Sequence, residues 1–270
     1  MIVYKYYPPT RYTKDALLKN YFFFNKVSKQ NDPYDASFKL IQSPRYIDAL
    51  LNKSMHPHAE QILKDYGTCS FAQRNDNKHM WAFYATNYEG VVIGYDEEYL
   101  MGLSQQFLAN IPYVEVVYED GLPDVDNDLA VFKPLYIQGD LKLTHAVKFC
   151  KAPCDAKTLE HLFVYLCSLK EKQTWGNEEE RRLIAAGQII RPTNQKRLKN
   201  RNIGYLPNGY TIPFPKESVK EIILGHNCSL AHKFIKRLIQ KYKNAEIKQT
   251  ICKTPFSIDI IPYNNKNLNN

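Results

Sequence analysis

Between Trp175 and the apolar run Leu183-Ile184-Ala185-Ala186 the chain carries five consecutive ionisable side chains, Glu178 to Arg182. Charge is costly to bury without partners, so this stretch limits what the rest of the chain can build around it. As a strand, Glu178, Glu180 and Arg182 share one face, because side chains alternate with a period of two, and Glu179 and Arg181 take the other. As a helix, Glu178 and Arg182 would form only an i,i+4 pair, worth about 0.2–0.5 kcal/mol. The continuation from Leu183 to Ile190 has no helix cap, stops at Pro192 and is apolar enough for a buried central strand beginning near Glu178. Two carboxylates at the start of such a strand make either a salt-bridge network or a site. Paired charges of the first kind are common and cheap at a surface.

The other elements follow from local pattern. Tyr4-Lys5-Tyr6-Tyr7, cut off by Pro8-Pro9, reads as a first strand. A short helix from Thr13, its cap, to Asn20 precedes the bulky strand Tyr21-Phe22-Phe23-Phe24. Asn31-Asp32-Pro33-Tyr34-Asp35 is a rigid polar turn, of the kind that serves structure or holds a ligand loop. Residues 44–66 read as helix broken at His56-Pro57-His58, Thr68 to Phe71 as a strand, His79 to Ala85 as an internal helix, and Gly90 to Tyr95 as a strand. Helix is expected over 96–109 and 156–172, and strand over Pro112 to Tyr118. Further strands are expected at Tyr210 to Pro213, Val219 to Gly225, Ala245 to Ile251 and Ser257 to Ile261. A helix capped by Ser229 runs to about Lys243. The sum is a single α+β domain over 1–263, a mixed, mostly antiparallel central sheet flanked by helices, with a disordered Asn-rich tail over 264–270. Trp175, Phe22, Phe24, Phe71, Trp81 and Ile184 are expected in one core.

At 270 residues such a domain needs no staples. No apolar run approaches the ~20 residues of a membrane-crossing helix, and the first residues lack a secretory leader, so a cytoplasmic protein is expected, unless it is exported by a route without an N-terminal signal. Cys150 and Cys154, with His145 and His161 nearby, lack the second ligand pair of a zinc finger, so reduced thiols and no metal are expected. The net charge of +8 favours anionic partners. Lys196, Arg197, Lys199 and Arg201 in the 191–209 loop and Lys233, Lys236, Arg237, Lys241 and Lys243 on the last helix form either a nucleic-acid patch or solvated faces. Oligomeric state is left open.

In order, Tyr4-Lys5-Tyr6, Asn31-Asp32-Pro33-Tyr34-Asp35, Ser70-Phe71, Met80-Trp81-x-x-Tyr84-Ala85, Lys170 with Trp175-x-x-Glu178-x-Glu180-x-Arg182, and Glu221-Ile222-Ile223-Leu224-Gly225 resemble the blocks of a bacterial family described only as a domain of unknown function. Ala72 and Phe83 stand where that family often has serine and histidine. The layout of an aromatic and cationic first strand, a serine on a middle strand and Glu-x-Glu on a late strand is also similar to mono-ADP-ribosyltransferases. That resemblance implies an enzyme using NAD as substrate, with a protein or nucleic-acid acceptor, as a toxin, effector or phage-defence protein. Glu180 would hold a ribose hydroxyl and face the oxocarbenium-like state, and Glu178 would orient or deprotonate the acceptor. Tyr4, Tyr6 or Trp81 would stack on nicotinamide, Lys5 or Arg11 would meet the pyrophosphate, and Ser70 would support the carboxylate. Asn31, Asp32, Tyr84 and Arg182 complete the expected NAD site. The alternative is a basic module that binds nucleic acid or a nucleotide without chemistry.

Overall fold

Among the described residues thirteen strands join in one sheet, and its branching decides where the charged stretch lies. The computed structural model describes residues 1–30, 32, 35–37, 58–103, 111–121, 131–132, 135–138, 141–144, 147–148, 156–185, 204–254 and 257–263. The strands are β1 (Ile2–Tyr7), β2 (Tyr21–Lys26), β3 (Gly67–Ala72), β4 (Val91–Asp96), β5 (Tyr113–Glu115), β6 (Val117–Glu119), β7 (Val131–Phe132), β8 (Leu135–Gln138) and β9 (Leu141–Thr144). After β10 (Val147–Lys148) come β11 (Leu169–Glu171), β12 (Glu180–Ala185), β13 (Gly204–Leu206), β14 (Gly209–Pro213), β15 (Val219–Leu224), β16 (Glu246–Thr254) and β17 (Ser257–Pro262). The helices are α1 (Arg11–Lys19), α2 (Ala59–Lys64), α3 (Lys78–Phe83), α4 (Glu97–Met101), α5 (Ala156–Ser168), α6 (Lys172–Trp175) and α7 (His232–Lys241). The long path of the sheet runs β17-β16-β15-β4-β1-β3-β12-β5-β8-β9, with β15 and β16 parallel and its other pairs antiparallel. The architecture is therefore α+β with a mixed, mostly antiparallel sheet. Among the described residues no helix is long and apolar enough to cross a membrane.

The sheet forks at β3. One edge of β3 pairs along its whole length with β12, from Ala72↔Glu180 to Gly67↔Ala185. The other edge is shared. β1 meets it at one end, through Tyr4↔Ala72, and β2 at the opposite end, through Thr68↔Asn25 and Gly67↔Lys26. Between these contacts β1 and β2 splay apart, and among the described residues the main chain of Cys69–Phe71 has no ladder partner on that side. Lys5 reaches across the gap, its Nζ donating to the Ser70 carbonyl at 3.0 Å while lying over the Phe71 ring. A buried carbonyl that loses its ladder needs such a donor.

Alternation along β3 and β12 gives the two faces of the sheet different work. Cys69, Phe71, Leu183 and Ala185 join Val3, Phe22, Phe24, Ile93 and the α7 residues Phe234 and Leu238 in the larger core. Thr68, Ser70, Ala72, Glu180 and Arg182 point the other way, towards the smaller cluster of Tyr6, Trp81, Val92 and Ile223. The single core expected from the sequence is thus two, because Trp81 on α3 covers the opposite face from Phe22, Phe24 and Phe71. Trp175 is only half-buried.

Several boundaries differ from expectation for local reasons. Thr10 rather than Thr13 caps α1, and α7 begins at His232, with Ala231 at the N-cap position and no side-chain cap, rather than after Ser229. The Pro112–Tyr118 run breaks at Val116 into two three-residue strands that serve different sheets. α5 ends at Ser168, and Leu169–Glu171 leaves the helix to pair in parallel with β6. β12 starts at Glu180, since Gly176–Glu178 forms a 3-10 turn and Glu179 takes a left-handed φ of 46°. The basic segment 191–203, the tail from 264, Asn31, Cys150 and Cys154 lie outside the described residues.

Thr86, Asn87 and Tyr88 follow α3 with three successive left-handed φ values of 50°, 49° and 66°. L residues adopt that region reluctantly, a β-branched one most of all. Tight packing holds the turn. The Tyr88 ring stacks on Trp81 at 5.3 Å, and a Cβ on Gly225 would lie 1.8 Å from the Tyr88 carbonyl oxygen. Thr86 is exposed, so Thr86→Gly is expected to relieve backbone strain and raise stability by about 1 kcal/mol. A lower urea midpoint in that variant would show that the threonine side chain stabilises the turn.

Candidate functional site

A cavity of about 100 Å³ lies at the fork. Its walls come from β1 (Tyr4, Lys5, Tyr6), β3 (Ser70, Phe71, Ala72), α3 and its end (Met80, Tyr84), and the charged stretch (Glu178, Glu180, Arg182), with Gln30, Asp35 and Lys170 completing them. Strand register explains the meeting. Ser70 pairs with Arg182 and Ala72 with Glu180, so their side chains fall on one face of two neighbouring strands, and β1 flanks the same place through Tyr4↔Ala72.

Arg182 anchors the site. It is 1 % exposed, and its five N–H groups are all used. Nη1 and Nη2 donate to Asp35 Oδ1 and Oδ2 at 2.7 and 3.0 Å, Nε and Nη2 donate to Glu180 Oε1 and Oε2 at 2.7 and 3.1 Å, and Nη1 also reaches the Cys167 carbonyl at 2.6 Å. A fork of donors facing two carboxylates is the geometry in which a guanidinium can be buried. Asp35 is presented by a turn in which its own N–H donates to the Asp32 carbonyl at 3.1 Å.

The second cation is Lys170, which β11 brings in from the far side. Its Nζ lies 2.7 Å from Glu178 Oε2 and 2.9 Å from Glu180 Oε2, and 4.7 Å from the centre of the Trp175 ring. One ammonium therefore ties the two glutamates together. The left-handed Glu179 turns the chain so that Glu178, on the 3-10 turn, faces the same cavity as Glu180. Tyr84 donates its phenol proton to Glu178 Oε1 at 2.6 Å, and the Glu180 N–H donates to the Tyr118 hydroxyl at 2.9 Å.

The two carboxylates differ in what remains free. Glu180 accepts twice from Arg182 and once from Lys170, which takes three of the roughly four acceptor positions of a carboxylate, and Ser70 on the neighbouring strand faces the same group. Glu178 accepts from Tyr84 and Lys170 among the described residues and keeps acceptor capacity facing the cavity.

Burial alone would push the Glu180 carboxyl up. The charges of Arg182 and Lys170 and the hydrogen bonds from Arg182 and Ser70 outweigh it and hold the carboxyl well below its ordinary value of 4.5. Burial likewise opposes charge on Lys170, yet Glu180 and Glu178 raise its pKa. Burial, followed by the charge of Glu221, pushes the Tyr4 phenol up to about 12. Because folded Glu180 binds its proton more weakly than the unfolded chain does, its stabilisation is complete above pH 4.5 and is lost as pH falls below it. Urea midpoints of the wild type should drop through that acid range, and Glu180→Gln should flatten the drop. An equally steep acid limb in Glu180→Gln would assign the acid sensitivity to other groups.

Of the residues singled out in the sequence, the fold brings Tyr4, Lys5, Tyr6, Ser70, Tyr84, Glu178, Glu180 and Arg182 together. Trp81 is a correction: its ring is fully buried behind Tyr6, at 5.5 Å edge to face, its indole N–H donates to the Asn75 carbonyl, and it does not line the cavity. Asp32 serves the turn that presents Asp35 and does not line the cavity either. Arg11 is exposed on α1, where it donates to the Tyr12 hydroxyl at 2.9 Å. Lys170, Asp35 and Tyr118 are site residues that the pattern reading passed over as functional groups. The requirement that a buried arginine find a carboxylate fork could have pointed to Asp35. Among the described residues no group of three or more His, Cys, Asp or Glu side chains stands close enough to hold a metal ion.

Residues 80–183 match the model of a family described as a protein of unknown function (DUF2971). The match takes in Tyr84, Lys170, Glu178, Glu180 and Arg182, while Tyr4, Lys5, Asp35 and Ser70 precede it. No curated protein and no solved structure matches the chain.

Proposed function

We propose that the chain is an enzyme that breaks the nicotinamide–ribose bond of NAD and passes ADP-ribose to a protein or nucleic-acid acceptor. What carries this reading is the pair of buried carboxylates, held by Lys170 and Arg182, that faces a cavity at the fork of the sheet. In this chemistry nicotinamide leaves with the bonding electrons and the ribose passes through an oxocarbenium-like state, which a fixed negative charge stabilises. Glu180 is kept ionised and most of its acceptor positions are taken by Arg182 and Lys170, so it supplies field and position. Glu178, with acceptor capacity left, meets the ribose hydroxyl and takes the proton of the incoming nucleophile. Tyr4 and Tyr6 wall the cavity for a flat ring. At about 100 Å³ the cavity suits one ring of the ligand, below the ~300 Å³ at which drug-sized pockets begin, so the reacting end enters and the remainder lies outside.

The deciding experiment is incubation of the full chain with NAD labelled in its adenine half, with and without a cell lysate. Free nicotinamide, or label in macromolecules, supports the reading. Intact NAD in both mixtures sinks it.

One observation favours a second reading, a binding module for nucleic acid. α7 exposes Lys233, Lys236 and Arg237, none with an ion-pair partner among the described residues. Burial, and then the charge of Lys216, lowers the pKa of Lys241 on the same helix. Binding through this face should weaken steeply with salt, by a slope of about −0.9 per phosphate neutralised on a duplex. Triple replacement of the three residues by glutamine should flatten that slope, and salt-independent binding would exclude this face.

A further inference from the structure

α1 and α7 cover the larger core, on the face of the sheet opposite Glu180 and Arg182: Leu17 of α1 packs there with Phe234, Ile235 and Leu238 of α7. The two helices are tied together at their C-terminal ends. Lys241 Nζ donates to the Leu18 carbonyl, and the Tyr242 hydroxyl lies 2.7 Å from the Leu17 carbonyl and 2.8 Å from Asn20 Oδ1. Their outward faces carry charge of one sign. Seven side chains of the two helices are lysine or arginine, and one, Asp15, is acidic. Asp15 is already spent on Lys19 at 2.7 Å and on the Tyr21 hydroxyl at 2.8 Å.

Arg11, Lys14, Lys233, Lys236 and Arg237, with Lys243 just past α7, have no ion-pair partner among the described residues. Lys233 stands three and four residues before Lys236 and Arg237, and Arg11 three before Lys14, spacings at which like charges on a helix repel. A helix face that is merely solvated relieves such repulsion with interleaved acids, and α7 has none. The same surface shows an aromatic ring. Tyr12 is 66 % exposed, with the Arg11 guanidinium 4.9 Å from its ring centre and Arg11 Nη2 donating to its hydroxyl at 2.9 Å.

We infer that α1 and α7 together bind single-stranded nucleic acid, with an unpaired base stacked on Tyr12 and the phosphates of the strand on the lysines and arginines of both helices. Spread cations of one sign complement a chain of phosphates. The ring selects the kind of strand: a duplex keeps the faces of its bases inside its own stack, whereas a single strand offers them to an exposed aromatic side chain. A lipid surface fits less well, because the apolar residues Phe234, Ile235 and Leu238 of α7 are committed to the core and leave nothing to enter a bilayer. The inference rests on the nucleic-acid reading of α7, to which it adds α1, the ring and the single strand. It is independent of the NAD reading, because none of these residues lines the cavity at the fork.

Fluorescence anisotropy of the full chain tests it with three labelled DNAs of about twelve nucleotides, within the span such surfaces cover: a single strand, the same strand with abasic sites, and its duplex. The intact strand should bind roughly tenfold tighter than the abasic one, the worth of stacking one base. Tyr12→Ala, an exposed change that leaves the core alone, should remove that preference without altering the salt slope, and Tyr12→Phe, which keeps the ring, should retain it. Lys14→Gln should reduce the slope by about 0.7, the share of one phosphate on a single strand. Equal affinity for the intact and abasic strands, tighter binding of the duplex, wild-type affinity in Tyr12→Ala, or an unchanged slope in Lys14→Gln overturns the inference and leaves the reading of α7 standing. Failure of all three DNAs to bind sinks both.

Discussion

Glu178→Gln is expected to lower the rate of nicotinamide release by roughly two to three orders of magnitude while moving the urea midpoint little. The amide keeps the shape of the side chain and one oxygen to accept from Tyr84 or Lys170, and Lys170 keeps Glu180 as its counter-ion. What disappears is a negative charge with spare acceptor capacity facing the cavity, the place the proposed reaction gives to the ribose. Glu180→Gln should behave differently. Its amide group would face Arg182 and Lys170, donors against donors, so activity and stability should fall together. Comparing the two variants separates a carboxylate that meets substrate from one that positions it. If the wild type releases nicotinamide and folded Glu178→Gln does so at the same rate, Glu178 has no chemical role and its assignment fails, although the NAD reading itself stands.

Much of the sheet was legible because its strands advertise themselves. Phe22 to Phe24, Val91 to Tyr95 and Ile222 to Leu224 are rich in β-branched and aromatic residues, Thr68 to Phe71 is a short run of small and apolar ones, and each is a strand. The three ionisable residues of one parity, Glu178, Glu180 and Arg182, do face one cavity, although Glu178 arrives there through a left-handed turn rather than along the strand. Periodicity could not show that the sheet forks at β3, because a fork depends on which edges two distant strands choose. It could not show Lys170 either. That residue follows a helical pattern in sequence, and only the parallel pairing of β11 with β6, set by residues some fifty positions earlier, turns its ammonium towards the glutamates. Asp35 was read as part of a turn, which it is, but its carboxylate is spent on an arginine 147 residues away. Trp175 misled by size: a large aromatic suggests core, whereas here the ring flanks an ammonium at the edge of the site.

Arg182→Met is expected to cost about 3–5 kcal/mol, the usual penalty for removing one partner of a buried ion pair, against a total stability of about 5–15 kcal/mol for a domain. The loss is not that of one contact. Asp35, whose side chain is 2 % exposed, would be left as a buried carboxylate without its counter-ion, and Glu180 would lose two of its donors and depend on Lys170 and Ser70. Arg182→Lys should recover little, since one ammonium cannot supply five directed N–H groups to two carboxylates and the Cys167 carbonyl. Pairing Arg182→Met with Asp35→Leu removes the stranded charge along with its partner, so the double variant should be more stable than Arg182→Met alone, with a coupling energy of about 1–3 kcal/mol between the sites. Urea denaturation of the four proteins completes the cycle. Additive losses would mean that Asp35 and Arg182 do not stabilise each other, and the anchor of the charged stretch would then have to be Lys170.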